Sequence, residues 1–403
     1  MRRIYFLVLV GHLLWGLSVN LNTARIAYYN EKDYPRAKKA CLEGIKTENN
    51  YELYAILSGS EIGLGNWQEG AAALIKAIAI DSVKTWDWIG EKGGGNKYFG
   101  QAFYFSARTL FDQEKYPEAL EYLRYAEFLD PADIAAYVLG GAILFKLGKY
   151  EEANAEYKKV LERDPENPDV HFLIGKSLFE SKNFEASLGY LQNAQKYYLP
   201  KYDRITKVVF QNLQEFNPQL SQKIIVLWAE KKSNELDELL KIELGFKQGM
   251  DAQQSNIEQY YRTTTDLART HYFTGMAHFY LGNDSIALTS LFKNLELNPN
   301  DLDALFFTGE ILVKLKKCQA AIGYFEKLTQ IKDGDLYAWF SLGVCYTKLK
   351  EYNKAIDIYE NKVLKLDPEN IDAMNNLAYI YSEIGEKDKA VEYWKKVEEL
   401  QKE

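Results

Sequence analysis

The sequence predicts an all-α chain of repeated helix hairpins, and three observations in its 403 residues carry that prediction. Small residues recur every 34 positions: Ala119, Ala153 and Ser187, then Ala287, Ala321 and Ala355. A second small-residue series keeps the same phase: Ala107, Gly141, Gly175, Gly275, Gly309, Gly343 and Ala378. Only nine prolines occur, and Pro131, Pro165, Pro200, Pro299 and Pro368 fall near one place in the period. A proline there is expected to end a helix. A period of this length marks a stacked array rather than independent domains.

In chain order, residues 1–18 come first and are expected to stand outside the fold. Arg2 and Arg3 precede an apolar run from Ile4 to Leu17, and Gly16 and Ser18 are small residues at its exit. A basic start, a short apolar run and small exit residues describe a secretory signal segment. The run is shorter than the roughly 20 residues a membrane-spanning helix needs. The alternative is an uncleaved anchor made by residues 4–17.

The repeated elements follow. Each unit reads as two amphipathic helices joined by a tight turn, as in the stretches FKLGKY and FYLGND. The small residues belong where the two helices approach most closely. Large residues one turn later, Leu123, Tyr157, Leu191, Leu291, Phe325 and Tyr359, are expected to fill the space that remains. At the chain's end, Glu392, Lys395, Lys396 and Glu399 would give the last helix a charged outer face.

This pattern resembles the tetratricopeptide repeat family. Nine units carry it, beginning near Val19, Tyr51, Gly100, Ile134, Pro168, Ala268, Leu302, Leu336 and Ile371. In the first two, Ala37 and Gly70 hold the second small position. The resemblance implies a right-handed superhelical solenoid of hairpins, with the first helix of each pair lining a concave groove. It also implies binding of other proteins rather than catalysis.

Two places break the period. Gly70 and Ala119 are 49 apart, which leaves an insert near residues 83–99 with Trp86, Trp88 and three consecutive glycines. A long turn is the expected reading; no Gly-Lys-Ser/Thr ends the stretch as a phosphate-binding loop would require. Ser187 and Ala287 are 100 apart. Residues 200–267 therefore read as a degenerate helical connector, either two signature-free hairpins or a hinge. One face there holds Ile205, Val208, Val209, Leu213 and Phe216, another Leu236, Leu239, Leu240 and Leu244, with Pro218 between them. The expected division is 1–18, an N-terminal block 19–199, the connector 200–267, and a C-terminal block 268–403.

The groove implied by the resemblance would be lined by Tyr104, Phe105, Arg108, Phe111, Phe145, Phe172, Lys176, Phe179, Tyr272, Phe273, Phe279, Phe306, Phe307, Tyr337 and Phe340. An exposed aromatic strip would bind an apolar segment of another protein. The alternative is that these rings pack against the next unit. Chaperone-docking members of the family hold a carboxylate with Lys, Arg and Asn. The matching places here, Tyr104, Arg108, Leu139, Ala142, Phe172 and Lys176, lack the asparagines, so that docking is not expected.

Composition and motifs narrow the chemistry. With 49 Lys+Arg against 57 Asp+Glu the net charge is −8, and no basic tract exists to neutralise nucleic-acid phosphates. No His-Glu-x-x-His, Gly-x-Ser-x-Gly or Cys-x-x-Cys occurs. His171 and His278 fall on places where aromatics pack, and His271 is too far along its helix from His278 to share one metal. No metal, cofactor or catalytic group is therefore expected. Cys41 reads as a small core residue. Cys318 begins one helix and Cys345 lies late in the next; the two either meet as a disulfide or point apart. The expected function is a non-enzymatic, extracytoplasmic scaffold for a protein partner, with oligomeric state open. The alternatives are a membrane-anchored envelope assembly factor, or an enzyme or accessory domain using 83–99 or 200–267 for a small molecule.

Overall fold

The computed structural model describes residues 19–91, 95–216 and 251–402, which form helices and turns with no strand among them. Residues 1–18, expected from sequence as a signal segment, three residues of the insert and the leucine face from Leu236 to Leu244 lie outside the described residues. The chain divides into two compact units, Met1–Pro165 and Glu166–Glu403.

In the first unit, α1 is helical over 19–25 and continues as a π-helical stretch, Ile26–Glu31. It pairs with α2 (Tyr34–Gly44). The next hairpin is α3 (Tyr51–Gly63) with α4 (Trp67–Ile80). A single helix, α5 (Ser82–Glu91), intervenes before α6 (Asn96–Asp112) with α7 (Tyr116–Leu129) and α8 (Ile134–Lys146) with α9 (Tyr150–Leu161). The second unit holds α10 (Pro168–Glu180), α11 (Phe184–Phe216), α12 (Asp251–Tyr280), α13 (Asp284–Leu297), α14 (Leu302–Lys314), α15 (Cys318–Ile331), α16 (Leu336–Lys348), α17 (Tyr352–Ile358), α18 (Ile371–Glu383) and α19 (Lys387–Leu400). Of the nine hairpins among the described residues, eight begin at or within four residues of the expected starts; the sixth, expected at Ala268, has a first helix that begins at Asp251.

Local chemistry sets each hairpin. First helices open on an Asn or Asp whose side chain accepts a backbone N–H of the first turn: Asn50, Asp133, Asn167, Asp301, Asp335 and Asn370. Each of the nine hairpin turns among the described residues places one residue in the left-handed region, from Lys32 to Gly385. Gly65, Gly148, Gly282 and Gly385 adopt it without a Cβ penalty.

The close approach of paired helices is as the two series predict. A Cβ on Gly141 would run into the Tyr157 ring, and one on Gly309 would lie 2.5 Å from Phe325. Gly175, Gly275 and Gly343 face Leu191, Leu291 and Tyr359 in the same way. The facing large residues are almost fully buried, so each hairpin closes on one side chain seated against bare backbone.

Three expectations are corrected. The insert is not a long turn. Asp81 Oδ1 accepts the Lys84 N–H to start α5, and Thr85, Trp88 and Ile89 are buried at helical spacing. Trp88 donates its indole N–H to the Tyr29 hydroxyl and packs on Tyr28 and Phe99. Second, Pro200 ends no helix; it lies inside the 33-residue α11. The lost backbone bond is tolerated because α11 packs along the 30-residue α12. Tyr198, Ile205 and Val209 of α11 are buried, as are Tyr260 and Leu267 of α12, and Tyr202 stacks on Tyr260. Third, positions 200 and 268, expected as connector boundaries, fall within α11 and α12. Both helices are longer than their counterparts in the other hairpins, and residues 217–250 between them lie outside the described residues.

One further departure concerns the hairpin starting at Leu336. It runs 35 residues to Ile371, one more than its predecessor. The extra residue is absorbed by a π-helical turn, Tyr359–Val363, followed by Leu364–Leu366. Buried residues in α15 are spaced four then three (Ala321, Phe325, Leu328), whereas here they are spaced four and four (Ala355, Tyr359, Val363). The bulge keeps the core face in register.

Candidate protein-binding face of the first helices

Within each unit the first helices of successive hairpins touch one another: α6 with α8 in the first, and α10 with α12, α14 with α16 and α16 with α18 in the second. The side chains nominated from sequence lie on these helices, but they do not form one uniformly exposed strip.

In the first unit, Phe111 packs against Tyr116 at 5.7 Å and Phe145 against Tyr150 at 5.4 Å. Each pair joins the end of a first helix to the start of its own second helix, so these rings close the hairpin turn. Phe179 and Phe184 repeat the contact at 5.3 Å in the second unit. Tyr104 is half-buried, edge-on to Phe105, while Phe105 is exposed beside Trp67 and Arg108 is exposed.

The second unit assembles a larger aromatic face. Phe172 is buried, with the Arg269 guanidinium 5.0 Å above its ring. Phe273 packs edge-on to Phe172 and Phe179, and Lys176 Nζ lies 5.6 Å from its centroid. Tyr272 is half-buried, and burial raises its phenol well above the ordinary value. Phe279 meets Phe307 at 6.2 Å beneath Lys314, whose ammonium also pairs with Asp284 at 2.8 Å. Phe306 packs on Phe325, and Phe340 on Tyr359. Tyr337 stands 72 % exposed.

Sequence reasoning missed three members of this face. Tyr280 is 55 % exposed and stacks on Phe184, and Tyr379 is 50 % exposed on α18. Arg269 is the third. Each is a neighbour or one-turn relation of a nominated or small residue; the helical direction of its side chain was the available signal.

The other groups with chemical potential are committed to the fold. His171 stacks between Tyr190 and Tyr197. His271 is buried, and burial followed by nearby Lys293 pushes its imidazole down to about 4. It is therefore neutral at pH 7. An unfolded histidine titrates near 6.5, so between pH 6.5 and about 4 the unfolded chain binds the additional proton. Stability from this group is present above that window and is lost as the pH falls through it. His271→Gln is expected to remove a pH-dependent loss of about 2 kcal/mol between pH 7 and pH 5. Denaturant titrations of both proteins at the two pH values measure it, and identical slopes would refute it.

Trp88, in the insert that the alternative reading gives to a small molecule, is 4 % exposed with its N–H engaged. A cleft of about 480 Å³ is lined by residues of α15, α16 and α17 including Trp339, Tyr346, Glu326 and Asp357. Within it Tyr346 donates to Glu326, and its Asp357 accepts from Asn361. Among the described residues no group of three His, Cys, Asp or Glu could hold a metal, and no helix is long and apolar enough to cross a membrane.

Family profiles described as TPR repeat and Tetratricopeptide repeat match residues 141–182 and 360–392. The chain carries tetratricopeptide repeats. A profile described as Anaphase-promoting complex, cyclosome, subunit 3 matches residues 99–160 and 284–362 of this repeat protein. A TPR repeat-containing protein of Methanocaldococcus jannaschii is 23% identical over 258 residues, covering 62% of this chain. The chain spans 41% of that relative's length. Among solved structures, Pseudomonas aeruginosa PilF is 14% identical at a TM-score of 0.45, covering 68% of this chain and 94% of its own. YrrB, a TPR protein with an unusual peptide-binding site, is 16% identical at 0.42, with coverages of 61% and 93%. MamA from Desulfovibrio magneticus RS-1 is 27% identical at 0.32, with coverages of 38% and 89%.

Proposed function

We propose that this repeat protein is a non-enzymatic scaffold whose second unit binds a segment of a protein partner on the aromatic face of α12, α14 and α16. The observation that carries this reading is the combination of half-buried rings with exposed tyrosines on the same helices. Phe307 and Phe340 are partly covered, and Tyr337 stands almost free one turn from Phe340. Such rings offer large contact area at low rotamer cost. The cations above Phe172, Phe273 and Phe279 add polar contacts around an apolar floor. We further propose that residues 1–18 direct the protein out of the cytoplasm, by the signal pattern of their sequence; retention of 4–17 as a membrane anchor is the competing outcome.

The test is site-specific photo-crosslinking from position 337 in the full-length protein within its native cells, followed by mass spectrometry of bait and prey. One reproducible prey is expected, and the bait is expected to begin near residue 19. Tyr337→Ser is expected to weaken binding of that prey at least about tenfold, with helicity and melting unchanged. Unaltered binding would reject this face. Phe145→Ser and Phe179→Ser are not suitable probes, because both rings close hairpin turns.

A further inference from the structure

We propose that Cys318 and Cys345 constitute a dithiol–disulfide site, closed by a small-molecule disulfide such as oxidised glutathione, which covalently ties two consecutive hairpins of the second unit. Cys318 is the first residue of α15, and Cys345 lies in the last turn of α16. The two helices pack against each other and run in opposite directions, so the start of one meets the end of the other. Both side chains belong to one buried cluster, at 5% and 0% exposure, and both are free thiols. The two thiols interact, and beyond burial Cys318 helps to raise the Cys345 thiol.

The placement is particular to this hairpin. At the equivalent start of other second helices stand Tyr116, Tyr150, Phe184 and Tyr352. The first three pack on Phe111, Phe145 and Phe179. Here both rings are gone: Cys318 replaces one and Val313 stands where the phenylalanine would be. The neighbouring hairpin supplies the second sulfur instead. Cys41, the third cysteine, belongs to the first unit and serves as an internal control.

The chemistry balances as two exchanges. The Cys318 sulfur, as thiolate, attacks oxidised glutathione, forming a mixed disulfide and expelling one glutathione thiolate. The Cys345 sulfur then attacks the Cys318 sulfur, forming the protein disulfide and expelling the second glutathione. The two protons released by the cysteines end on the two glutathione thiols. Burial, reinforced by Cys318, raises the Cys345 thiol, which makes the second exchange slow in the folded protein.

The experiment incubates the reduced full-length protein with oxidised glutathione, quenches in acid, alkylates under denaturing conditions and reads intact mass. The expected product carries one alkyl group, on Cys41, and has lost two hydrogens. A peptide linking residues 318 and 345 is expected in its digest. Cys345→Ser is expected never to show the two-hydrogen loss. Three alkyl groups, a glutathione retained on either cysteine of the pair, or a two-hydrogen loss persisting in Cys345→Ser would each overturn the proposal. The variant also covers the case of a folding defect, since its readout is a covalent bond rather than an activity.

Discussion

Replacing Tyr157 by alanine is expected to cost the first unit about 3–5 kcal/mol, the range for removing a buried aromatic. Tyr157 is 1% exposed, and its ring lies where a Gly141 side chain would begin. Gly141→Ala is expected to be destabilising too, although alanine is the better helix former. Helix propensity favours the change by about 1 kcal/mol. Against it, the added Cβ would stand within 2.7 Å of three atoms of the Tyr157 ring. A ring pinned between two helices has no flexible end to move aside, and overpacking of this kind costs about 1–3 kcal/mol. The steric effect therefore wins. The decisive measurement is the cycle with Tyr157→Leu, in which a smaller partner makes room for the methyl group. The double variant is expected to be more stable than the sum of the single effects, by denaturant titration. Strict additivity would show that the small-residue series does not mark a close approach.

That cycle probes the feature that was most legible in the sequence. The two small series and the large residues facing them report backbone proximity directly, because nothing but a missing side chain satisfies it. The Asn and Asp caps and the turns are equally local. What the sequence hid depends on partners distant in the chain. Pro200 reads as a helix stop until α12 is seen packed along α11. The insert reads as a turn because its glycines are conspicuous, while the burial of Thr85, Trp88 and Ile89 depends on α3, α4 and α6. A one-residue excess after Leu336 is visible as a number, but its absorption by a π-turn is a packing outcome.

The candidate face was legible in part for the same reason. An aromatic at the end of a first helix looks identical in sequence whether it faces a ligand or closes a turn. Phe111, Phe145 and Phe179 were nominated with the rest, yet each has a ring five residues later that covers it. A reading that paired those positions would have separated them from Tyr337 and Phe307. Tyr280 and Tyr379 escaped because they lie beside the periodic positions rather than on them.

Glu360→Ala is expected to loosen the last hairpin selectively. Glu360 belongs to the π-turn, and its Oε1 accepts the hydroxyls of Tyr381 and Tyr393 at 2.8 and 2.9 Å. Those rings stack at 5.9 Å, one from each helix of the final hairpin. One carboxylate thus ties both helices to the preceding hairpin. Hydrogen bonds to a charged group contribute about 1.5–3 kcal/mol each, so losing both is expected to cost about 3–6 kcal/mol locally. Hydrogen exchange of α18 and α19 amides is expected to accelerate at least about thirtyfold, with α8 and α9 unchanged. Burial, then Glu360, raises both phenols above their ordinary value near 10. Because the folded values are raised, the stability they contribute is complete below pH 10 and is lost as the pH rises beyond it. Glu360→Gln keeps the shape without the charge. Its tyrosinate absorbance is expected to appear at lower pH than in the parent protein, and its exchange rates to fall between parent and alanine variant. Unchanged exchange in α18 and α19 together with an unchanged tyrosinate onset would show that the π-turn does not anchor the end of the array.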